Sequence, residues 1–143
     1  MPTEPRNPSY RSVVERLFGV APFIQDLGIR LADVGPGWCE TALAIQARHK
    51  QQNDFIHAGV QATMADHTAG GAATSLVAEG EYVLTVEFKI NLLRPAGGAR
   101  LTCRSAVLKA GRTLSVVESD VFAYSSEQPV LAARATVTLA VLR

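Results

Sequence analysis

Long apolar runs are missing from this chain. No stretch approaches the roughly 18 uncharged apolar residues that a membrane helix requires, so no membrane partner is expected. An excess of one charge is missing too: 14 Lys and Arg stand against 13 Asp and Glu, a net charge of +1. With no basic run either, nothing points to nucleic-acid binding. Cysteine is scarce. Cys39 and Cys103 are far apart and form no CxxC pair, so neither a zinc site nor a disulfide framework is signalled, and no metal is expected. The first eight residues, with prolines at 2, 5 and 8, lack the apolar core of a signal peptide, which makes the expected location cytoplasmic. No repeat of fixed period is visible. What remains is a chain of 143 residues, 48% apolar and 19% charged, the usage and size of one globular domain.

Punctuation divides the chain. Residues 1–9 hold three prolines and read as a flexible arm. Tyr10, Val13, Val14, Leu17 and Phe18 recur at helical spacing and predict a short amphipathic helix over residues 9–18, stopped by Gly19. Residues 1–19 are thus set apart as arm and helix, ahead of a single domain over 20–143. Residues 22–26 allow one further helical turn. Residues 27–34 and 38–47, joined by Gly35-Pro36-Gly37, read as a hairpin. Residues 48–56 are polar and aperiodic, and read as a loop.

From residue 57 to about 78 the texture changes to alanine and glycine broken by Val60, Met64, Leu76 and Val77, without proline. This predicts a helix, although each internal glycine costs about 1 kcal/mol relative to alanine. A helix that accepts such a penalty is expected to pack closely on several sides. Beyond Gly80 everything reads as strand. Tyr82, Leu84, Val86, Phe88, Ile90 and Leu92 alternate with a second, more polar set until Pro95. Residues 100–109 place Leu101, Cys103, Ser105 and Val107 on one face. Residues 112–124 alternate less cleanly, as if hiding a bulge, and residues 130–142 form the last strand. Short connections predict that these four strands form an antiparallel meander. The economical packing is an α+β fold, a curved antiparallel sheet wrapped around one long central helix.

Asp66 lies nine residues into that nearly uncharged helix. Either this face of the helix meets solvent, or a carboxylate sits in a partly apolar cleft and suits base or nucleophile work. His57 opens the helix, and the N–H groups of Ala58 and Gly59 are expected to lack intrahelical partners. Such amides suit an oxyanion, or His57 caps the helix and water satisfies them. Ala58 and Asp66 are eight residues apart, about 12 Å along a helix axis. They cannot both touch one reacting carbonyl within a single chain. Two antiparallel helices related by a twofold axis could bring them together across a dimer interface.

The run Gln51-Gln52-Asn53-Asp54-Phe55-Ile56-His57-Ala58-Gly59-Val60, followed by Ala65-Asp66-His67-Thr68-Ala69-Gly70-Gly71-Ala72-Ala73, resembles the PaaI-like hotdog-fold acyl-CoA thioesterases. The strand from Leu84 to its closing Pro95 is similar to that family's strand after the central helix. The resemblance spans roughly residues 20–142. It implies a hotdog fold and hydrolysis of an acyl-CoA to a free acid and CoA, with no cofactor. Carried over by position, Asp66 would attack the thioester or activate water, and the Ala58 N–H would be the oxyanion donor. Gln51 would orient the thioester or the water, and Thr85 would sit beside the carboxylate. Ala58 departs from the family's glycine, which a backbone donor tolerates. His67 beside Asp66 is unusual and is read as structural. The resemblance also implies cations for the CoA phosphates. Arg94, Arg100 and Arg104 are candidates, and the Lys109-Ala-Gly-Arg112 turn is the preferred one, because a turn presents two cations with free amides.

Two other readings share this fold: a non-catalytic acyl-CoA-binding module, and an acyl-thioester hydratase or dehydratase in which His57 and Asp66 act as an acid/base pair. The expected assembly is a homodimer with shared sites, or a dimer of such dimers.

Overall fold

The computed structural model describes residues 4–143. Helix α1 (Tyr10–Gly19) and the short α2 (Pro22–Leu27) lead into a hairpin of β1 (Arg30–Gly35) and β2 (Trp38–Ala44). A 3-10 turn (Ala47–His49) precedes the central helix α3 (Ala58–Thr74). Four long strands follow: β3 (Tyr82–Leu92), β4 (Arg100–Ala110), β5 (Leu114–Tyr124) and β6 (Val130–Leu142). The six strands make one antiparallel sheet in the order β1-β2-β4-β5-β6-β3, and α3 lies across its concave face. This is the wrapped-helix architecture that the sequence implied.

The long strands are not a simple meander. Strands β4, β5 and β6 are consecutive neighbours, but β3 pairs with β6 at the far edge and β4 pairs with β2. The cause lies in residues 93–99, which carry Pro95, Gly97 and Gly98 instead of a tight turn and arch over the end of the sheet. The Ala96 carbonyl accepts the Ile56 N–H there at 2.9 Å. The bulge expected within β5 is also elsewhere. Strand β5 alternates strictly between buried and half-buried residues. The register shifts fall at Leu108 on β4, Ala132 on β6, Ala32 on β1 and Val86 on β3.

The Val86 bulge has the largest effect. An extra residue in one strand inverts the phase of the side chains beyond it. Opposite β6, Val83 and Thr85 pair with the inward-facing Val141 and Leu139, whereas Phe88 and Ile90 pair with the inward-facing Val137 and Ala135. The single apolar face read from Tyr82 to Leu92 is therefore split. Tyr82 and Leu84 lie on the outer side, and Thr85 turns toward the helix.

The core is one cluster of buried apolar side chains from α1, α2, α3 and every strand except β3, whose Val83 and Ile90 pack against it partly exposed. Val14 and Phe18 of α1 belong to this core, so residues 10–19 share it with the rest of the chain. Residues 1–3 of the expected arm lie outside the described residues. The rest of it is fastened rather than free: Asn7 is buried and its side chain accepts the Ser9 N–H at 2.9 Å, and Arg6 pairs with Glu81 at 3.4 Å.

Helix α3 lies close against the sheet at Gly71, where a Cβ would meet Cys39 Sγ at 2.8 Å. Beside Gly70 nothing lies within 4 Å. Close approach therefore explains one of the helical glycines and not its neighbour. Two buried hydroxyl pairs fix the rotation of α3. Thr68 Oγ1 donates to Met64 O at 2.6 Å and receives Thr41 at 2.8 Å. Ser119 Oγ donates to Ala65 O at 2.8 Å and receives Ser105 at 2.6 Å. With these ties made, Asp66 faces the open side of the helix toward β3.

Candidate active site

The helix entrance is built by a buried histidine. His49 is 1% exposed; its Nδ1 accepts the Gln46 N–H at 2.9 Å and its Nε2–H donates to Leu27 O at 2.7 Å. Its carbonyl receives the His57 N–H at 2.9 Å. Residues 48–56 are thus a tied segment that begins in the 3-10 turn, not a plain loop. His57 is held extended, with φ −60° and ψ 138°, as the N-cap of α3.

His57 Nδ1 accepts the Gly59 N–H at 2.8 Å, and the His57 carbonyl receives the N–H groups of Val60 and Gln61 at 3.0 and 3.5 Å. Among the described residues the Ala58 N–H alone in this first turn has no partner. The expectation of two free amides is corrected to one, because the His57 ring takes that of Gly59. A ring nitrogen that accepts carries no proton, so a neutral His57 carries its proton on Nε2. His57 is placed as a cap.

A cavity of about 640 Å³ opens beside the helix end, lined by Gln51, His57, Ala58, Gln61, Leu92 and Arg94 among others. The Gln51 side-chain oxygen accepts the Asn53 N–H, which holds the carboxamide over the segment that precedes the helix. Arg94 Nη1 donates to Leu131 O at 2.8 Å, setting its exposed guanidinium at the rim. One further lining residue was not singled out in the sequence. Gln61 is 3% exposed, and its Oε1 has no hydrogen-bond partner. An orphaned buried carbonyl costs about 1–3 kcal/mol. Its signal was a polar amide one turn after Ala58, in a stretch from Ala58 to Ala65 otherwise made of small or apolar residues.

The second cluster lies two turns further along α3. Thr85 Oγ1 donates to Asp66 Oδ1 at 2.7 Å, and Oδ2 has no partner among the described residues. A cavity of about 450 Å³ is shared by Asp66, His67, Gly70, Leu17, Leu84 and Thr85, with others. His67 Nε2–H donates to Leu17 O at 2.8 Å, and the ring meets Phe18 edge-on at 4.7 Å. Burial holds the His67 pKa below the ordinary imidazole value, against the Leu17 hydrogen bond and the nearby Asp66, which both raise it. His67 fastens α1 to α3, as a structural residue should.

The protomer therefore brings the site candidates together in two groups. Gln51, His57, Ala58, Gly59 and Arg94 gather at the helix end; Asp66 and Thr85 gather at mid-helix. No residue lines both cavities. Lys109 and Arg112 are exposed at the β4–β5 turn, at the end of the sheet where β3 begins, and they line neither cavity. Arg100 stacks on Tyr124 at 3.8 Å and Arg104 on Trp38 at 4.8 Å, across the outer face of the sheet. A thiol nucleophile is disfavoured, since burial pushes both Cys39 and Cys103 up to about 12.

The thioesterase superfamily profile matches residues 53–130, which hold the helix end, Asp66, Thr85 and all four arginine candidates. The chain belongs to the thioesterase superfamily. A thioesterase family protein of Silicibacter pomeroyi is 38% identical, with a TM-score of 0.91 over 93% of this chain and 98% of that one. A conserved protein of Pseudomonas aeruginosa is 27% identical, with a TM-score of 0.80 over 89% of this chain and 98% of that one. A thioesterase of Haemophilus influenzae shares the fold at 24% identity, with a TM-score of 0.82 over 93% and 90% of the two chains. The architecture is thus the hotdog fold, and thioester hydrolysis is the general chemistry of this superfamily member. No helix among the described residues is long and apolar enough to cross a membrane.

Proposed function

We propose that this protein hydrolyses acyl-CoA thioesters at two sites shared across a homodimer. The observation that carries the reading is the Asp66–Thr85 pair. Thr85 Oγ1 occupies Asp66 Oδ1 at 2.7 Å and leaves Oδ2 for the reaction. The Ala58 N–H, at the positive end of the α3 dipole, receives the carbonyl oxygen of the thioester. As a general base, Asp66 takes a proton from water while the water oxygen bonds to the carbonyl carbon. The C–S bond then breaks, the acid forms, and the CoA sulfur leaves and takes up a proton. Direct attack by Oδ2 uses the same geometry through a mixed anhydride that water then opens. In single-turnover hydrolysis in oxygen-18 water, label found in Asp66 identifies direct attack, with the anhydride opened by water at the Asp66 carbonyl.

The distance between the two groups supports the dimer. Eight residues of helix separate Ala58 from Asp66 by about 12 Å, too far for one carbonyl. Strand β3 is an edge with no neighbour on its outer side, and Leu84, Val86, Phe88, Leu92 and Leu93 are exposed along or just beyond it. An apolar unpaired edge is a template for another strand. Antiparallel pairing of two β3 edges about a twofold axis midway between Phe88 and Lys89 would set Thr85 opposite Leu92 of the partner subunit. The mid-helix group of one copy would then face the helix-end group of the other. The same operation carries each Lys109–Arg112 turn toward the partner's helix end, where the phosphates of CoA would lie.

Thiol release from a panel of acyl-CoA chain lengths tests the reading. The wild type should turn over at least one class, and Asp66→Asn should retain the fold and lose on the order of 10²-fold or more in kcat. Near-normal turnover in that variant removes Asp66 from the mechanism.

A further inference from the structure

We propose that Gln61 is a second hydrogen-bond donor to the thioester carbonyl oxygen, beside the Ala58 N–H. The inference rests on the placement of that oxygen at the helix end. Oxyanions form against preorganised donors, and backbone amides and glutamine side chains both serve. At this helix end the backbone offers only one donor. The amide that would come next, on Gly59, is bound to His57 Nδ1, and those of Val60 and Gln61 are bound to the His57 carbonyl.

Gln61 stands where the second donor is needed. It is three residues beyond Ala58 and so on the same face of α3. Side chains on a helix lean toward its N-terminus, which carries the Gln61 carboxamide back toward the free amide of Ala58. It lines the same cavity as Ala58, Gln51 and Arg94. The residue is 97% buried, yet its Oε1 has no partner and its Nε2 makes no hydrogen bond among the described residues. A buried glutamine kept for structure is bonded at both ends; this one ties nothing to anything. Burial holds the side chain in place, and the NH2 end, bonded to nothing, is free to meet a carbonyl. No proton is transferred: the N–H bond to the carbonyl oxygen shortens as charge gathers there and relaxes when the C–S bond breaks.

The test compares wild type, Gln61→Met and Gln61→Glu in thiol release, with Asp66→Asn alongside. Gln61→Met keeps the length of the side chain and removes its donor, whereas a buried Gln61→Glu can keep one by staying protonated and should lose less turnover. Loss of one oxyanion donor should lower kcat by about 10²-fold while KM stays within about threefold. Gln61→Met should melt at or above the wild-type temperature, because it also removes an orphaned polar group. A purely structural glutamine gives the opposite signature, with turnover retained and melting the only quantity changed. In Asp66→Asn carrying bound acyl-CoA, the thioester carbonyl stretch should lie at lower frequency than in the same complex with Gln61→Met added. That readout needs no turnover. A wild type inert toward every thioester overturns the hydrolase reading and the Gln61 role together. An active wild type, an inactive Asp66→Asn and a Gln61→Met with kcat within about threefold of normal overturn the Gln61 role alone. A raised KM with unchanged kcat also overturns it, since the contact would then be made equally in the ground state.

Discussion

The two clusters on α3 are built on opposite principles. At mid-helix the proposed working group is a side chain, Asp66, fixed by a single bond from another side chain, Thr85. At the helix end the proposed working group is main chain, the Ala58 N–H, left over after His57 has satisfied its neighbours. A side chain is lost by almost any substitution, whereas a backbone donor survives nearly all of them. That is why alanine can stand where the resembled family has glycine, while no comparable freedom exists at position 66. The helix also keeps the two clusters apart, so in the proposed reaction neither is a site alone.

The backbone donor has one natural eraser, and it gives the largest expected effect. Ala58 is the first residue of α3, a position where proline is well tolerated because its missing N–H breaks no helical bond. His57 is already extended, as the residue before a proline prefers. Ala58→Pro should therefore fold normally and lose roughly 10²- to 10³-fold in kcat. Refolding it together with Asp66→Asn sharpens the contrast between clusters. In a mixed dimer one site takes both intact groups and the other takes both lesions. Activity should rise well above the average of the separate variants, toward half per mixed dimer. No regain, despite mixing shown by pull-down of differently tagged chains, would place both clusters' work within one chain.

A smaller effect is expected at the cations. Lys109→Ala with Arg112→Ala should raise KM for acyl-CoA by about tenfold, equivalent to about 1.4 kcal/mol, and leave kcat nearly unchanged. Steady-state kinetics decides the matter. An unchanged KM would shift the phosphates to Arg94, which already stands at the rim of the helix-end cavity.

The smallest effects contrast two adjacent glycines. Gly71 faces the sheet with Cys39 Sγ in the path of any Cβ, so Gly71→Ala should lower the melting temperature, the clash outweighing about 1 kcal/mol of gained helix propensity. Gly70 lies beside Asp66 with open space around it. Gly70→Ala should raise stability by about 1 kcal/mol and impair turnover by placing a methyl group in the cavity. If both variants gain stability, the packing contrast between these faces of α3 is wrong.

Local chemistry made much of this legible from the sequence. The Gly35-Pro36-Gly37 hairpin, the start of α3 at His57 and the inward set Leu101, Cys103, Ser105 and Val107 all follow from neighbours a few residues apart. The expected helix end at about residue 78 overshot Thr74, because Ser75, Leu76 and Val77 are buried like helix residues without continuing the helix. The pairing of β3 with β6 was out of reach, since nothing local says which of two edges a strand will join. Gln61 escaped notice for a related reason. Its meaning lies in bonds it does not make, and a sequence shows only the bonds a residue is able to make.

The bulge at Val86 acts on β3 as a shift of reading frame acts on a message. Upstream and downstream residues obey the same two-residue rhythm, but one extra residue sets which half of that rhythm faces the helix. Thr85 belongs by rhythm with Glu87, Lys89 and Asn91, and reaches Asp66 only because the count is odd at that point. Deleting Val86 would leave every proposed site residue in the chain and restore an unbroken alternation. It would also force either Thr85 or Phe88 to the wrong side of the sheet. The proposed catalytic geometry thus depends on a residue whose contribution to it is to be counted rather than to touch the reacting groups.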